Sequence, residues 1–218
     1  MRLNRYVASA SGLSRRAADM AIQDGRVTVN GDIATLGLPI TDEVVCLDDR
    51  KLTLPTTFRY LALNKPPGYV SSREKQGTDP IVYELLPTSD HQLRLAGRLD
   101  RDSSGLLLLS DDGDFILKMS HPSADKQKVY ELELDHKLSE TDLTQLAAGV
   151  MLEDGPSRPK ILAHDGRTIT VSLEEGRNRQ LRRTFGALGY GLTKLHRLSI
   201  GAYELGDLAP GEWRDITP

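Results

Sequence analysis

The stretch from Gly97 to Ser110 reads GRLDRDSSGLLLLS and decides how the rest of the chain is interpreted. Its four consecutive leucines, bounded by turn-forming residues on both sides, are typical of a short buried strand. The polar segment before them then lies at the mouth of a sheet, where loops often carry function. An aspartate between arginines is also compatible with a plain turn held by surface ion pairs, and spacing alone favours that interpretation.

The elements around this strand predict an α+β fold. Apolar alternation predicts strands at Tyr60–Asn64, Val129–Leu134 and Thr168–Leu173, and helical spacing predicts helices at Thr141–Gly149 and Arg179–Leu188. Strands and helices are interleaved without a regular βαβ rhythm, which favours a mixed, largely antiparallel sheet with flanking helices. In the last helix, one side carries apolar residues four positions apart, which we assign to the core: Leu181 and Phe185.

The first part of the chain predicts a small separate domain. Two short helices are expected at Leu3–Ala10 and Arg15–Gln23, the second capped by Ser14 and packed through Ala17, Met20 and Ala21. A hairpin is expected around Asn30-Gly31, with strands at Arg26–Val29, Ile33–Leu36 and Val44–Leu47. The segment 51–57 is the best linker candidate, so we predict domains at residues 1–58 and 59–218.

Composition excludes several classes of protein. The chain has 218 residues, 39% of them hydrophobic, and a formal net charge of −3. No apolar stretch of ~18 residues is present, so no membrane span is predicted, and without a targeting segment we expect a cytoplasmic protein that acts as a monomer. The single cysteine, Cys46, and scattered histidines offer no metal-ligand spacing. We therefore expect neither a metal nor a cofactor.

The positive charges are unevenly distributed. One group lies within residues 1–30, and a second lies between Gly176 and Arg197, where no carboxylate balances it. In the second group, the stretch from Glu175 to Arg183 reads EGRNRQLRR at the start of a predicted helix. Backbone N–H groups at a helix start and planar guanidinium groups both suit phosphate oxygens. A solvated helix face is the alternative, but the missing carboxylates favour an anion-binding surface.

Four motifs together resemble one enzyme family. They are LNKPPG at Leu63–Gly68, GRLDRDSSGL at Gly97–Leu106, KVY at Lys128–Tyr130 and EGRNRQLRR at Glu175–Arg183. In this order they resemble the RsuA-type ribosomal RNA pseudouridine synthases. The segment from Arg2 to about Leu36 is similar to the S4 RNA-binding domain that precedes the catalytic domain in that family.

The resemblance implies roles for individual residues. Asp100 would be the catalytic carboxylate, Tyr130 would pack on the target uracil, and Arg182 would pair with Asp100. Leu181 would face the base, and Arg98 would fill the gap left in the RNA when the uridine flips out. The resemblance implies no cofactor and no metal. The remaining expected RNA contacts are Lys128, Arg177, Arg179, Arg183, Arg2, Arg5, Arg15 and Arg16.

The chemistry sets a requirement for Asp100. Uracil must be detached from C1′, turned, and rejoined through C5, and a single ionised carboxylate can serve by attacking the sugar or the base or by abstracting a proton. In a dry pocket, desolvation raises a carboxyl pKa and an adjacent arginine lowers it. We therefore expect Asp100 to lie in a water-excluding pocket, kept ionised by Arg182.

Other functions and targets remain open at this level. Asp100 and Asp102 could be the acid pair of a glycoside hydrolase, although the chain has few aromatic residues for a sugar platform. A non-catalytic rRNA-binding or ribosome-assembly factor would need the basic groups but not Asp100. The motifs do not separate 16S from 23S rRNA as the target, nor free RNA from an assembly intermediate. The absence of a basic tail before Pro218 favours the small-subunit type.

Overall fold

The computed structural model describes residues 1–75, 77–120 and 126–218. The chain divides into two compact units, Met1–Phe58 and Arg59–Pro218. Each unit has a hydrophobic core of its own.

Two helices form one layer of the first unit, α1 (Leu3–Ser11) and α2 (Arg15–Gln23). α1 ends at Gly12, which has a φ of 77°, and the Ser14 hydroxyl accepts a hydrogen bond from the backbone N–H of Ala17 at 3.1 Å. Both helices and the Ser14 cap agree with the prediction. Of the predicted core positions of α2, Ala21 is buried, Ala17 is half-buried and Met20 is 57% exposed, so the prediction is wrong for Met20; the helix buries Ala18, Ala21 and Ile22. A nine-residue helix with so few large apolar side chains has no clear core face in its sequence. The packing of α1 against α2 decides which side of α2 is buried.

The other layer of the first unit is a four-stranded antiparallel sheet. Its strands are β1 (Val27–Val29), β2 (Asp32–Ile33), β3 (Val45–Leu47) and β4 (Arg50–Lys51), in the order β2-β1-β3-β4. Asn30 and Gly31 have φ values of 53° and 94°, which confirms the predicted tight turn between β1 and β2. The return strand is shorter than predicted.

The second unit is built on one large sheet, in which nine strands of the described residues take part. Seven lie in the order β11-β12-β8-β13-β7-β5-β15, with β14 beside β13 and β6 beside β7. Among the strand pairs of this sheet in the described residues, only β7–β13 is parallel, which confirms a mixed, largely antiparallel sheet. Two further strands, β9 and β10, form a separate hairpin. The bounds are β5 Tyr60–Lys65, β6 Arg94–Leu95, β7 Ser104–Ser110, β8 Lys128–Leu134, β9 Val150–Leu152, β10 Gly155–Ser157, β11 Lys160–Asp165, β12 Thr168–Leu173, β13 Leu192–Ile200, β14 Tyr203–Glu204 and β15 Trp213–Asp215.

Three helices flank this sheet: α3 (Gly113–Ser120), α4 (Glu140–Ala148) and α5 (Gln180–Ala187), together with 3₁₀ turns at Val82–Leu85 and Thr88–Asp90. α5 buries Leu181 and Phe185, as predicted. α3 was not predicted. Its first turn is capped by Asp112, whose carboxylate accepts a hydrogen bond from the N–H of Asp114 at 2.9 Å. No helix in the described ranges is long and apolar enough to cross a lipid bilayer.

The leucine run forms β7 at the centre of this unit, and each of its four leucines is fully buried. Successive leucines face two different parts of the core, because neighbouring side chains of a strand point to opposite faces. Where β7 meets β13, a Cβ on Gly105 would lie 2.3 Å from the carbonyl oxygen of Arg197, and Gly105 has a φ of 101°. Only glycine permits this contact. The contact places the polar loop before β7 beside β13.

Candidate active site

A cavity of about 560 Å³ opens where the loop before β7, the strands β8 and β13 and the start of α5 meet. Its size is that of a small-molecule pocket. Seven of the residues singled out from the sequence line it: Arg98, Asp100, Lys128, Tyr130, Arg177, Arg179 and Leu181. Tertiary structure therefore brings three of the four motifs to one place.

The backbone of the loop is fixed from behind by Lys65. This lysine ends β5 and is fully buried, and its ammonium group donates hydrogen bonds to the carbonyl oxygens of Ser103 at 2.6 Å, Pro66 at 3.0 Å and Arg101 at 3.2 Å. Burial lowers the pKa of Lys65 to about 8, against the pull of the nearby carboxylates. Lys65 was not among the predicted site residues, although a lysine that ends an apolar strand is a usable signal.

Asp100 is held in a tight turn. The N–H of Ser103 donates to the carbonyl oxygen of Asp100 at 3.1 Å, and the hydroxyl of Ser71 both donates to Leu99 O and accepts from Leu99 N. The Asp100 side chain is 34% exposed at the edge of the cavity. The predicted water-excluding environment is therefore wrong for the chain by itself. The turn nonetheless gives the carboxylate a defined direction.

The predicted pair between Arg182 and Asp100 is also wrong in this structure. Arg182 lies within α5, 14% exposed, and it donates to the carbonyl oxygens of Asp102 at 3.0 Å and Leu192 at 3.2 Å. The guanidinium group beside Asp100 belongs to Arg179, at 3.6 Å. Arg179 precedes α5 in a left-handed conformation (φ 45°), so its side chain leaves the helix and reaches the loop, whereas Arg182 supports the loop backbone.

Asp102 has an arrangement unlike that of a glycosidase acid. Burial raises its pKa, but a hydrogen bond from Arg179 and the charge of Arg182 outweigh this effect and lower the pKa overall. The general acid of a glycoside hydrolase needs a raised pKa so that it holds a proton at neutral pH. Asp102 is therefore a poor proton donor, and the Asp100–Asp102 pair does not support glycoside hydrolysis.

Part of the cavity wall is apolar. Tyr130 on β8 and Leu181 on α5 are both buried, and both line the cavity. Lys128, two positions before Tyr130, lines it too, so the predicted shared face of Lys128 and Tyr130 is confirmed. Burial lowers the pKa of Lys128, and the charge of Arg197 adds to this effect. A flat ring can lie against this wall with polar groups at its edges.

The second basic group is not without carboxylates in three dimensions. Asp154, in the turn between β9 and β10, accepts hydrogen bonds from Arg183 at 2.7 and 2.9 Å and from Arg177 at 2.8 Å. The expectation that this group has no balancing carboxylate is therefore wrong. Asp154 lies 23 or more positions before these arginines in the chain, and the hairpin that carries it packs against α5. Buried Gln180 joins the same region by donating to Ser157 at 3.1 Å.

In the first unit, the arginines singled out from the sequence cluster at the helix starts. Arg2 immediately precedes α1, and Arg15 and Arg16 are the first two residues of α2; all three are exposed, whereas Arg5 is half-buried. A cation near a helix N-terminus is opposed by the helix dipole. Their exposure at an unfavourable position suits binding of an external anion.

Metal ligation finds no support in the described ranges, where no group of three His, Cys, Asp or Glu side chains could hold an ion. His121 lies outside those ranges. The cavity thus holds two carboxylates, Asp100 and Glu175, an apolar wall and several cations.

Comparison with known proteins identifies relatives of both units. The family model of RNA pseudouridylate synthases matches residues 59–187, and that of the S4 domain matches residues 1–46. Ribosomal small subunit pseudouridine synthase A of Escherichia coli is 36% identical over 225 residues, covering 100% of this chain and 96% of the relative. An uncharacterized RNA pseudouridine synthase of Aquifex aeolicus is 34% identical, covering 99% and 90%. A solved structure, described as a pseudouridylate synthase, is 33% identical with a TM-score of 0.72, covering 100% of this chain and 96% of that one.

Proposed function

Because this chain belongs to the RNA pseudouridylate synthase family and carries an S4 domain, we propose that it isomerises a specific uridine of small-subunit ribosomal RNA to pseudouridine. The reaction replaces the C1′–N1 bond by a C1′–C5 bond; C5 loses its proton and N1 gains one, so that substrate and product are isomers. It needs no redox partner, and the site described above holds residues that suit each step.

The observation that carries this proposal is the placement of Asp100. Its carboxylate borders a cavity walled by Tyr130 and Leu181, and the turn that carries it is braced by buried Lys65. A braced carboxylate costs little reorganisation when it acts, whether it attacks C1′, attacks C6 or removes a proton from the sugar. Tyr130 would pack on the uracil ring, and Arg179, whose guanidinium group lies 3.6 Å from the Asp100 carboxylate, would help to orient that carboxylate.

Access to the target requires base flipping, which costs a few kcal/mol of stacking and pairing. Arg98 is exposed at the cavity mouth and would take the place of the extruded base in the RNA stack. Phosphate contacts offset the cost, and we assign them to Arg2, Arg5, Arg15 and Arg16 of the S4 domain and to Arg179 beside the cavity. Arg177 and Arg183 would contribute only if RNA phosphates displace Asp154.

The target is tested by mapping pseudouridine in rRNA from cells with and without the gene. We expect one position of 16S rRNA to lose its modification, in keeping with the small-subunit relatives. Loss of pseudouridine at a 23S position would mean that the reaction is correct but the target lies in the large subunit. No loss in either rRNA would contradict the proposal. Purified enzyme added to naked rRNA and to partly assembled particles from the deletion strain then shows which of the two is the substrate.

The role of Asp100 is tested by Asp100→Asn. We expect pseudouridine formation to fall by at least ~10³-fold, because the amide cannot act as a nucleophile or base, while the affinity for rRNA changes by less than about threefold. Asp207→Asn, the same change at a fully exposed carboxylate, is the matched control and keeps full activity. Appreciable turnover by Asp100→Asn contradicts the assignment of Asp100. If the wild type and both variants all lack turnover, the protein is an rRNA-binding factor without catalytic activity.

A further inference from the structure

Arg197 carries a buried group whose hydrogen-bonding capacity is not used. This residue of β13 is 3% exposed; its Nε donates to Leu106 O at 2.7 Å and its Nη1 to Arg98 O at 3.4 Å. Its Nη2 is buried and has no hydrogen-bond partner among the described residues. A buried N–H group without a partner is costly and rare, so such a group needs an explanation. Arg197 lines the same cavity as Asp100.

Lys128 is a second cation of this cavity, and it has no hydrogen bond or close ion pair among the described residues. Its ammonium group lies 3.5 Å from the position that a Cβ on Gly176 would occupy, and within the described ranges it makes no hydrogen bond or ion pair. Glu175, whose negative charge acts to raise the pKa of Lys128, is itself hydrogen-bonded by Arg177 and Gln180. The positive charge of Arg197 helps to lower the pKa of Lys128, so the two cations are close enough to repel each other.

These two groups are donors only, and they lie beside an apolar wall that accepts a flat ring. A uracil ring has two carbonyl oxygens, O2 and O4, at its edge. From this match we infer that Arg197 Nη2 and Lys128 Nζ bind the carbonyl oxygens of the extruded uracil and stabilise the negative charge that the base acquires during the reaction. This inference rests on the proposed function. It also explains how the site would distinguish uracil from cytosine.

The charge arises by each of the routes open to Asp100. If Asp100 attacks C1′ or removes a sugar proton, the C1′–N1 bond breaks with its electron pair on N1, and the uracil anion shares that charge with O2 and O4. If Asp100 adds to C6, the π electrons of the C5–C6 double bond form a C4–C5 double bond, and those of the C4 carbonyl move to O4, which gives an enolate. In every case two fixed cations favour the anionic base over the neutral one. Cytosine presents an amino group in place of O4, which these donors reject.

A phosphate group of the RNA is the other ligand that two cations could bind. Arg197 is buried, and Tyr130 and Leu181 nearby are buried and apolar. These surroundings favour a flat, largely apolar ring as the ligand over a charged, well-hydrated phosphodiester. The two ligands predict different outcomes for the same variant. A phosphate contact contributes to affinity and to its salt dependence, whereas a contact to the charge of the reacting base contributes to the rate.

The test compares Lys128→Met with Lys137→Met, an exposed lysine on the same unit. Single-turnover rates are measured as tritium released from small-subunit rRNA labelled at C5 of uridine and taken from the deletion strain. We expect Lys128→Met to slow the reaction about 10²-fold or more, with an affinity within about threefold of wild type and an unchanged salt dependence. An unchanged rate overturns the inference. So does weaker binding with a salt slope lower by about 1, which assigns Lys128 to a phosphate.

Base selection provides a second measurement that does not depend on turnover. RNAs with uridine or cytidine at the mapped position compete for the wild type, for Lys128→Met and for Arg197→Lys, which keeps the charge but removes Nη2; thermal unfolding verifies that the variants fold. We expect the wild type to prefer uridine by at least about tenfold and both variants to lose most of this preference. Equal preference in all three proteins overturns the inference. An inactive wild type, by contrast, would contradict the proposed function itself.

Discussion

Replacement of Lys65 by methionine tests whether a buried charge braces the catalytic loop. The ammonium group of Lys65 is the shared donor for the carbonyl oxygens of Pro66, Arg101 and Ser103. Methionine has a similar length and no charge, so Lys65→Met leaves these three carbonyl groups without their donor, at a cost of ~1–3 kcal/mol for each one that water cannot reach. This cost does not depend on pH.

The charge of Lys65 adds an effect that does depend on pH. Its pKa is 10.5 as the reference value and about 8 in the folded chain. Between these two pH values the unfolded chain binds more protons at Lys65 than the folded chain does. The free energy of unfolding of the wild type therefore rises with pH in this range, and this gain is lost again as the pH falls through 8. At ~1.36 kcal/mol per pH unit, the wild type should gain about 2.5 kcal/mol over Lys65→Met between pH 7 and pH 10.

Urea denaturation of both proteins at these two pH values measures the effect. Other titrating groups are common to both proteins and cancel in the difference between them. Lys137→Met, at an exposed position, should show a difference from wild type that is the same at both pH values. If the difference between wild type and Lys65→Met is also constant with pH, Lys65 is not a buried charge. We further expect Lys65→Met to slow turnover more than it weakens RNA binding, because the loop that carries Asp100 loses its support.

Three further perturbations follow from the packing and the ion pairs. Gly105→Ala should destabilise the second unit by at least ~3 kcal/mol in thermal or urea unfolding, because the new methyl group meets the backbone of Arg197 at a positive φ; a neutral effect would contradict the strand geometry. Phe185→Ala should cost ~3–5 kcal/mol, since the ring is fully buried in the core under α5; a loss below 1 kcal/mol would place the ring outside the core. Asp154→Asn should release the guanidinium group of Arg183, whereas Arg177 stays bonded to the carbonyl oxygens of Gly155 and Pro156, so that the slope of log affinity for rRNA against log salt steepens by about 1; an unchanged slope would show that Arg183 does not reach RNA.

Local features of the fold follow directly from the sequence. The start and stop of the first two helices, the turn at Asn30-Gly31 and the buried side of α5 each depend on residues within about four positions of one another. The helix α3 was missed because its cap lies in an acidic turn that reads equally well as the end of a strand. The outward side of α2 was misjudged because its partner surface lies elsewhere in the chain.

The sequence by itself determined the fold class, the helix caps, the tight turn and the four motifs, because periodicity, capping and each motif depend on residues that are near neighbours in the chain. Only the tertiary structure decided which charges meet. Arg179 rather than Arg182 lies beside Asp100, Asp154 neutralises two arginines, and Lys65 is buried behind the loop. Each of these contacts joins residues tens of positions apart, and electrostatic energy depends on distance in space and on burial, which chain spacing does not record.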